Sequence, residues 1–111
     1  MLTIDKLRSF GADVDDGIAR CMNRPEFYLM LVGKVTEDKR LPQLEKQLAD
    51  KDYAAAFETA HTLKGMYSNL SLTPLTQPVT EMTELLRSRQ DTDYSALFQE
   101  IKTQFERLCA L

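Results

Sequence analysis

Residues 52–72 read DYAAAFETAHTLKGMYSNLSL, and the fold of the chain turns on how this stretch is taken. Asp52 carries the short acceptor side chain of a helix N-cap, Ala54, Ala55 and Ala56 are strong helix formers, and nothing breaks the pattern before Gly65. The spacing predicts a helix from Tyr53 to about Leu70. At about 100° per residue, Ala56, Ala60, Leu63, Tyr67 and Leu70 form one stripe, roughly 100 to 180° around the axis from His61, the single histidine. That stripe is the expected core face, so His61 is expected to point outward. Within about 40° of it on the wheel lie Ala54, Phe57, Gly65, Ser68 and Leu72, most of them small.

Glycine inside a helix costs on the order of 1 kcal/mol relative to alanine, so Gly65, one turn beyond the histidine, calls for a reason. Close approach by another molecule is one. An exposed imidazole is mostly uncharged at neutral pH and offers a lone pair as nucleophile or ligand. Lys64, about 60° around the helix from His61, can swing its ammonium toward whatever the ring carries, which suits an anionic adduct, and Glu58 flanks the other side. Phe57 lies on the same outward face, where an isolated domain gains nothing from an aromatic ring. A plain surface histidine is the simpler alternative. The mid-helix glycine and the outward phenylalanine weigh against it and predict a contact surface centred on His61.

His61-Thr62-Leu63-Lys64-Gly65, preceded by Ala60 and followed by Asn69-Leu70, resembles the A-H-x-L-K-G signature of histidine-containing phosphotransfer (HPt) domains. Gly11, Val14, Gly17, Ile18, Arg20, Tyr28 and Leu31 resemble the opening segment of stand-alone members, which extends the likeness over nearly the whole chain. The resemblance implies that His61 receives a phosphoryl group from a receiver-domain aspartate, becomes phosphohistidine and passes the group to a second receiver. It also implies that Lys64 offsets charge on the phosphoryl oxygens, while Gly65 and Ser68 keep the surface low and Phe57 forms an apolar docking rim. The implied partners are response-regulator receiver domains and a (hybrid) histidine kinase. The sequence departs from the pattern at Ser68 and Ser71, where the family often has glycine. Serine is small enough for docking at position 68; at position 71 it bears on close backbone approach.

The 111 residues suffice for one domain over 1–111 with a continuous core, without metals or disulfides. Charged residues at 28% and hydrophobic ones at 43% are the balance of an ordinary globular protein and exclude disorder. A net charge of −3, with Lys and Arg scattered among acids, gives no field for nucleic-acid phosphates. Cys21 and Cys109 lack CxxC spacing and are expected to be buried thiols, and one histidine cannot complete a zinc set. No metal or other cofactor is therefore expected. There is no basic stretch leading into an apolar run, and no apolar run of about 18 residues, so neither signal peptide nor membrane span is expected. A cytoplasmic monomer follows.

Taken in order, Thr3–Phe10 suits a short helix ended by Gly11, and ADVDDGIARCMN a second short helix or a turn-rich connector. Asn23 is the expected next cap. Pro25 opens a helix to about Lys39, Pro42 interrupts, and Leu44, Leu48 and Ala49 continue to Asp50, as one kinked helix or two abutting ones. Thr73 is expected to cap a helix from Pro74 or Leu75 to about Arg89, with Pro78 in its first turn. Asp93 caps a last helix that presents Leu97, Ile101, Phe105, Leu108 and Cys109. The expected fold is all-α: an antiparallel up-and-down four-helix bundle with one or two short N-terminal helices.

No carboxylate cluster for magnesium and no glycine-rich phosphate loop is visible, so the expected role is that of a phosphocarrier without autokinase activity. The alternative is a bundle that docks receiver or kinase domains without accepting phosphate, a reading that Ser71 keeps open. A metal- or haem-holding bundle has only one histidine and no convergent acids to work with.

Overall fold

Seven α-helices and no strand make up the computed structural model, which describes residues 1–111. They are α1 (Ile4–Phe10), α2 (Val14–Arg20), α3 (Pro25–Thr36), α4 (Arg40–Ala49), α5 (Tyr53–Asn69), α6 (Thr73–Arg87) and α7 (Ser95–Cys109). The short connections at 50–52, 70–72 and 88–94 leave successive helices no room to do anything but turn back on themselves. Accordingly α4 packs on α5, α5 on α6 and α6 on α7, while α3 closes the remaining side against α7. The short helices α1 and α2 cap one end, α1 touching both α2 and α7. All seven contribute to a core of 24 buried apolar residues.

The core stripe expected on α5 is the observed one: Ala56, Ala60, Leu63, Tyr67 and Leu70 are all buried. Asp52 opens the helix as expected, its carboxylate accepting a hydrogen bond from the Ala55 N–H at 3.2 Å.

Several boundaries differ from the sequence expectation, each for a local reason. The long segment after Pro25 is two helices, broken over 37–39 and not at Pro42. Pro42 sits in the first turn of α4, where its missing N–H costs nothing, and the Asp38 carboxylate takes the Arg40 N–H at 2.9 Å. Asn23 does not cap α3; it adopts a left-handed φ of 58°, and Arg24 precedes Pro25 with no side-chain cap. Thr73 is the first residue of α6 and not its cap, because the turn at Ser71 reverses the chain so tightly that the helix starts at once. Pro78 therefore falls in the second turn, buried, where it leaves the Pro74 carbonyl without its helical donor. Helix α6 ends at Arg87, two residues early, as Arg89 turns left-handed. Asp93 serves α7 from one residue further out, accepting from the Ser95 N–H at 2.9 Å while Tyr94 holds the cap position. Of the two cysteines Cys21 is buried but Cys109 is exposed, since it falls at the solvent edge of the last turn.

The N-terminal helices are fastened to the end of α5 by one cluster. Tyr28, fully buried, donates its hydroxyl to the Leu70 carbonyl at 2.9 Å. Gly17 lies against the Tyr28 ring so closely that an added Cβ would run into it and stand 2.9 Å from the same carbonyl. Ser71, at φ 53°, closes the turn in the left-handed conformation that favours glycine. Its carbonyl accepts the Asp13 N–H at 3.0 Å and its hydroxyl donates to the Asp16 carboxylate, which this bond and Arg20 hold below the usual carboxylate range. Ser71 is thus a turn residue joining α5 to α2.

Two predictions follow from this packing. Because its hydroxyl bond and complete burial stop the Tyr28 ring from swinging aside, Gly17→Ala should destabilise the fold by about 1–3 kcal/mol. A lowered urea midpoint would show it; an unchanged midpoint would mean the ring yields. Burial also pushes the Tyr28 hydroxyl up from 10.0 to about 12, helped by Cys21 and Asp13, and pushes Tyr67, whose hydroxyl has no hydrogen-bond partner, above the usual phenol range. Both phenols stay protonated in the folded chain at a pH where the unfolded chain has released them. The stabilisation is therefore complete below pH 10.0 and is lost as pH rises toward 12. Urea unfolding between those limits should weaken by roughly 2–3 kcal/mol from Tyr28 alone, and a flat profile would contradict it.

Candidate functional site

His61 stands midway along α5 on the side away from the core stripe, and it is exposed as expected. Its imidazole lies alongside Phe57, one turn earlier, with ring centroids 5.7 Å apart and planes 18° from parallel. Phe57 is not the freely exposed ring that the wheel suggested. It is half-buried against the edge of the core, and the Arg87 guanidinium covers it at 5.1 Å from the centroid. Arg87 in turn pairs through Nε with Glu84 Oε2 at 3.4 Å, one turn back on α6. The other oxygen of Glu84 faces Lys64 Nζ at 3.9 Å.

Lys64 therefore reaches across to α6 and does not swing toward His61, as the sequence suggested it could. Together these contacts form a ring of side chains, from His61 through Phe57, Arg87, Glu84 and Lys64 and back along one turn of α5. Two cations, Lys64 and Arg87, share the Glu84 carboxylate. The side chains of Lys64, Glu84 and Arg87 are 31%, 56% and 52% exposed, so each ion pair contributes only about 0–1 kcal/mol and is free to rearrange.

On the other side of His61 the surface is bare. An added Cβ on Gly65 would meet nothing within 4 Å, and Gly65 is exposed. Packing inside this chain thus gives no reason for a glycine there. Ser68, half-buried, continues the low strip. Leu72, which the wheel placed near His61, is fully buried: the helix stops at Asn69, and the turn at Ser71 swings Leu72 into the core. Ser71 itself belongs to the α5–α2 junction described above and not to the face around His61.

Glu84 and Arg87 escaped the sequence reading. Their spacing of three on a helix marks a surface pair, but only the packing of α6 on α5 shows that they meet Lys64 and Phe57. Two surface grooves lie away from His61. One, of about 610 Å³, runs between the end of α4 and the start of α7; the other, of about 300 Å³, lies between α3 and α5. No three His, Cys, Asp or Glu side chains converge. What remains at His61 is an exposed imidazole midway along a helix, stacked on Phe57 on one side and beside open space at Gly65. That arrangement suits a group brought by a partner better than a small molecule enclosed in a pocket.

Comparison with protein families matches residues 34–111 to the family described as Hpt domain. The matched stretch runs from late α3 through α7 and contains every member of the ring around His61. Residues 1–33, over which the sequence reading extended the likeness, lie outside it. Curated proteins and solved structures give no match.

The empty space beside His61 predicts that Gly65→Ala raises the stability of the isolated protein by about 0.4–1 kcal/mol, as helix propensity improves and the unfolded chain is restricted. Thermal melts followed by circular dichroism measure this directly. A fall in melting temperature would show that the site is filled by packing after all.

Proposed function

Because the chain belongs to the Hpt domain family, whose members carry phosphoryl groups in two-component signalling alongside receiver domains and histidine kinases, we propose that His61 is the phosphoryl-accepting residue of a phosphorelay. In this reading a lone pair of the imidazole attacks the phosphorus of a receiver's aspartyl phosphate. A P–N bond forms, the P–O bond to the aspartate breaks, and the electron pair leaves with the carboxylate. A second receiver's aspartate reverses the process. The exposure of His61 at the middle of α5, inside the matched stretch, is the observation that carries the reading.

The receivers supply the metal and the acid groups; this chain supplies a nucleophile on a fixed helix and is a carrier without autokinase activity of its own. In this reading Lys64 and Arg87, which share the Glu84 carboxylate, turn to offset phosphoryl charge once the group is on the ring. Gly65 and Ser68 leave room for a receiver's loops, and Phe57 contributes the apolar edge of the docking face. The reading takes residues 1–111 as one unit working as a monomer in the cytoplasm. No helix of the chain is long and apolar enough to cross a membrane. An adaptor that docks without accepting phosphate drew its support from Ser71, and the role of Ser71 in the α5–α2 junction leaves that reading less to stand on.

Incubation with a panel of phosphorylated receivers should yield acid-labile phosphate on the protein, and His61→Gln should abolish it while leaving the helical signal intact. Gly65→Leu should fold normally yet slow transfer on the order of ten-fold or more, equivalent to about 1.4 kcal/mol in the barrier. A Gly65→Leu protein that transfers at the normal rate would remove the docking face from the proposal; labelling that survives His61→Gln would remove the histidine.

A further inference from the structure

One carboxylate in the ring around His61 has no part in the chemistry just described. Glu84 lies between the only two cations of that ring, with Lys64 Nζ 3.9 Å from one oxygen and Arg87 Nε 3.4 Å from the other. The Glu84–Arg87 contact alone would be an ordinary surface pair on α6. What that description leaves out is that Lys64 comes from a different helix, and that Arg87 also lies over the ring stacked on His61. Two helices thus aim their cations at one anion, and one of those cations lies over the ring stacked on an imidazole that has no acidic partner of its own among the hydrogen bonds and ion pairs of the chain.

We propose that Glu84 is a displaceable counter-ion: it holds Lys64 and Arg87 while His61 is bare, and yields them to the phosphoryl group when His61 is modified. The proposal rests on the reading of His61 as the acceptor, and deepens it by naming what tunes that site. A phosphoryl group carries close to two negative charges against the single charge of a carboxylate, so it competes for both cations. Exposed pairs of this kind are weak, so the exchange costs little. The charge of Glu84 therefore acts against phosphorylation by occupying the cations, and it keeps His61 from holding phosphate too firmly to pass it on. In this account Glu84 is a positioning residue that never touches the reacting atoms.

Phosphoramidate tests this without any protein partner. The imidazole nitrogen of His61 forms a P–N bond as the donor's own P–N bond breaks, the electron pair leaving with nitrogen, which takes a proton and departs as ammonia. Initial rates and final levels of phosphohistidine are measured at low ionic strength. Glu84→Gln should be labelled about three-fold faster than the unaltered protein, the size expected for one screened surface charge, with the gain shrinking as salt is added. Glu100→Gln, the same charge change on α7, should leave the rate alone. In a Lys64→Ala, Arg87→Ala background most of the Glu84→Gln gain should vanish, which a general change in fold or net charge would not produce. Labelling of Glu84→Gln at the unaltered rate, an equal gain in Glu100→Gln, or a full gain in the double-alanine background would each overturn the proposal. Should the unaltered protein label no faster than His61→Gln, the assignment of His61 itself fails. If it labels at His61 while Glu84→Gln merely matches it, only the role of Glu84 falls.

Discussion

Helix α5 has to bury one side completely and leave the opposite side bare, and the rest of the molecule is arranged around that demand. Ala56, Ala60, Leu63 and Tyr67 are covered by the neighbouring helices. Burying a side chain the size of Leu63 stabilises the fold by roughly 1.5–3 kcal/mol, whereas the exposed ion pairs on the far side contribute about 0–1 kcal/mol each. The inner face therefore sets where the helix lies, and the outer face is left to serve a partner. A helix held this firmly presents its central histidine at a defined height and angle, which in the proposed relay lowers the cost of orienting it for an attack on phosphorus.

The end of that helix is held by a separate device. Tyr28 reaches from α3 to the Leu70 carbonyl, Gly17 lets the ring approach, and Ser71 accepts a left-handed backbone to turn the chain into α6. A side chain in that conformation costs on the order of 1–2 kcal/mol. Its hydroxyl and carbonyl both find partners in or next to α2, which offsets the strain. The residues 1–33 that precede the Hpt match thus have a structural task here: they close the end of the bundle from which α5 leaves.

Around His61 the chemistry is spread over two helices. The imidazole and Lys64 come from α5, while the cation over Phe57 and the carboxylate between the two cations come from α6. None of these contacts is deeply buried, so the local charges are able to regroup when an anion arrives. A tightly buried set would resist such regrouping, so the proposed exchange depends on the exposure of these pairs.

The all-α class, the order of the long helices, the buried stripe on α5 and the outward histidine were legible in residues 52–72 and in the apolar spacing elsewhere, because a helix of fixed period turns sequence spacing directly into faces. The low surface at Gly65 was legible for the same reason. What the chain order could not carry was anything that depends on one helix meeting another. The break at 37–39, the turn residue at Ser71, the burial of Leu72 and the exposure of Cys109 are settled by how chain ends are closed against neighbours. The contacts between α5 and α6 belong to the same class: Glu84 lies 20 residues beyond Lys64 and Arg87 30 beyond Phe57, and only the packing of α6 on α5 brings each to its partner.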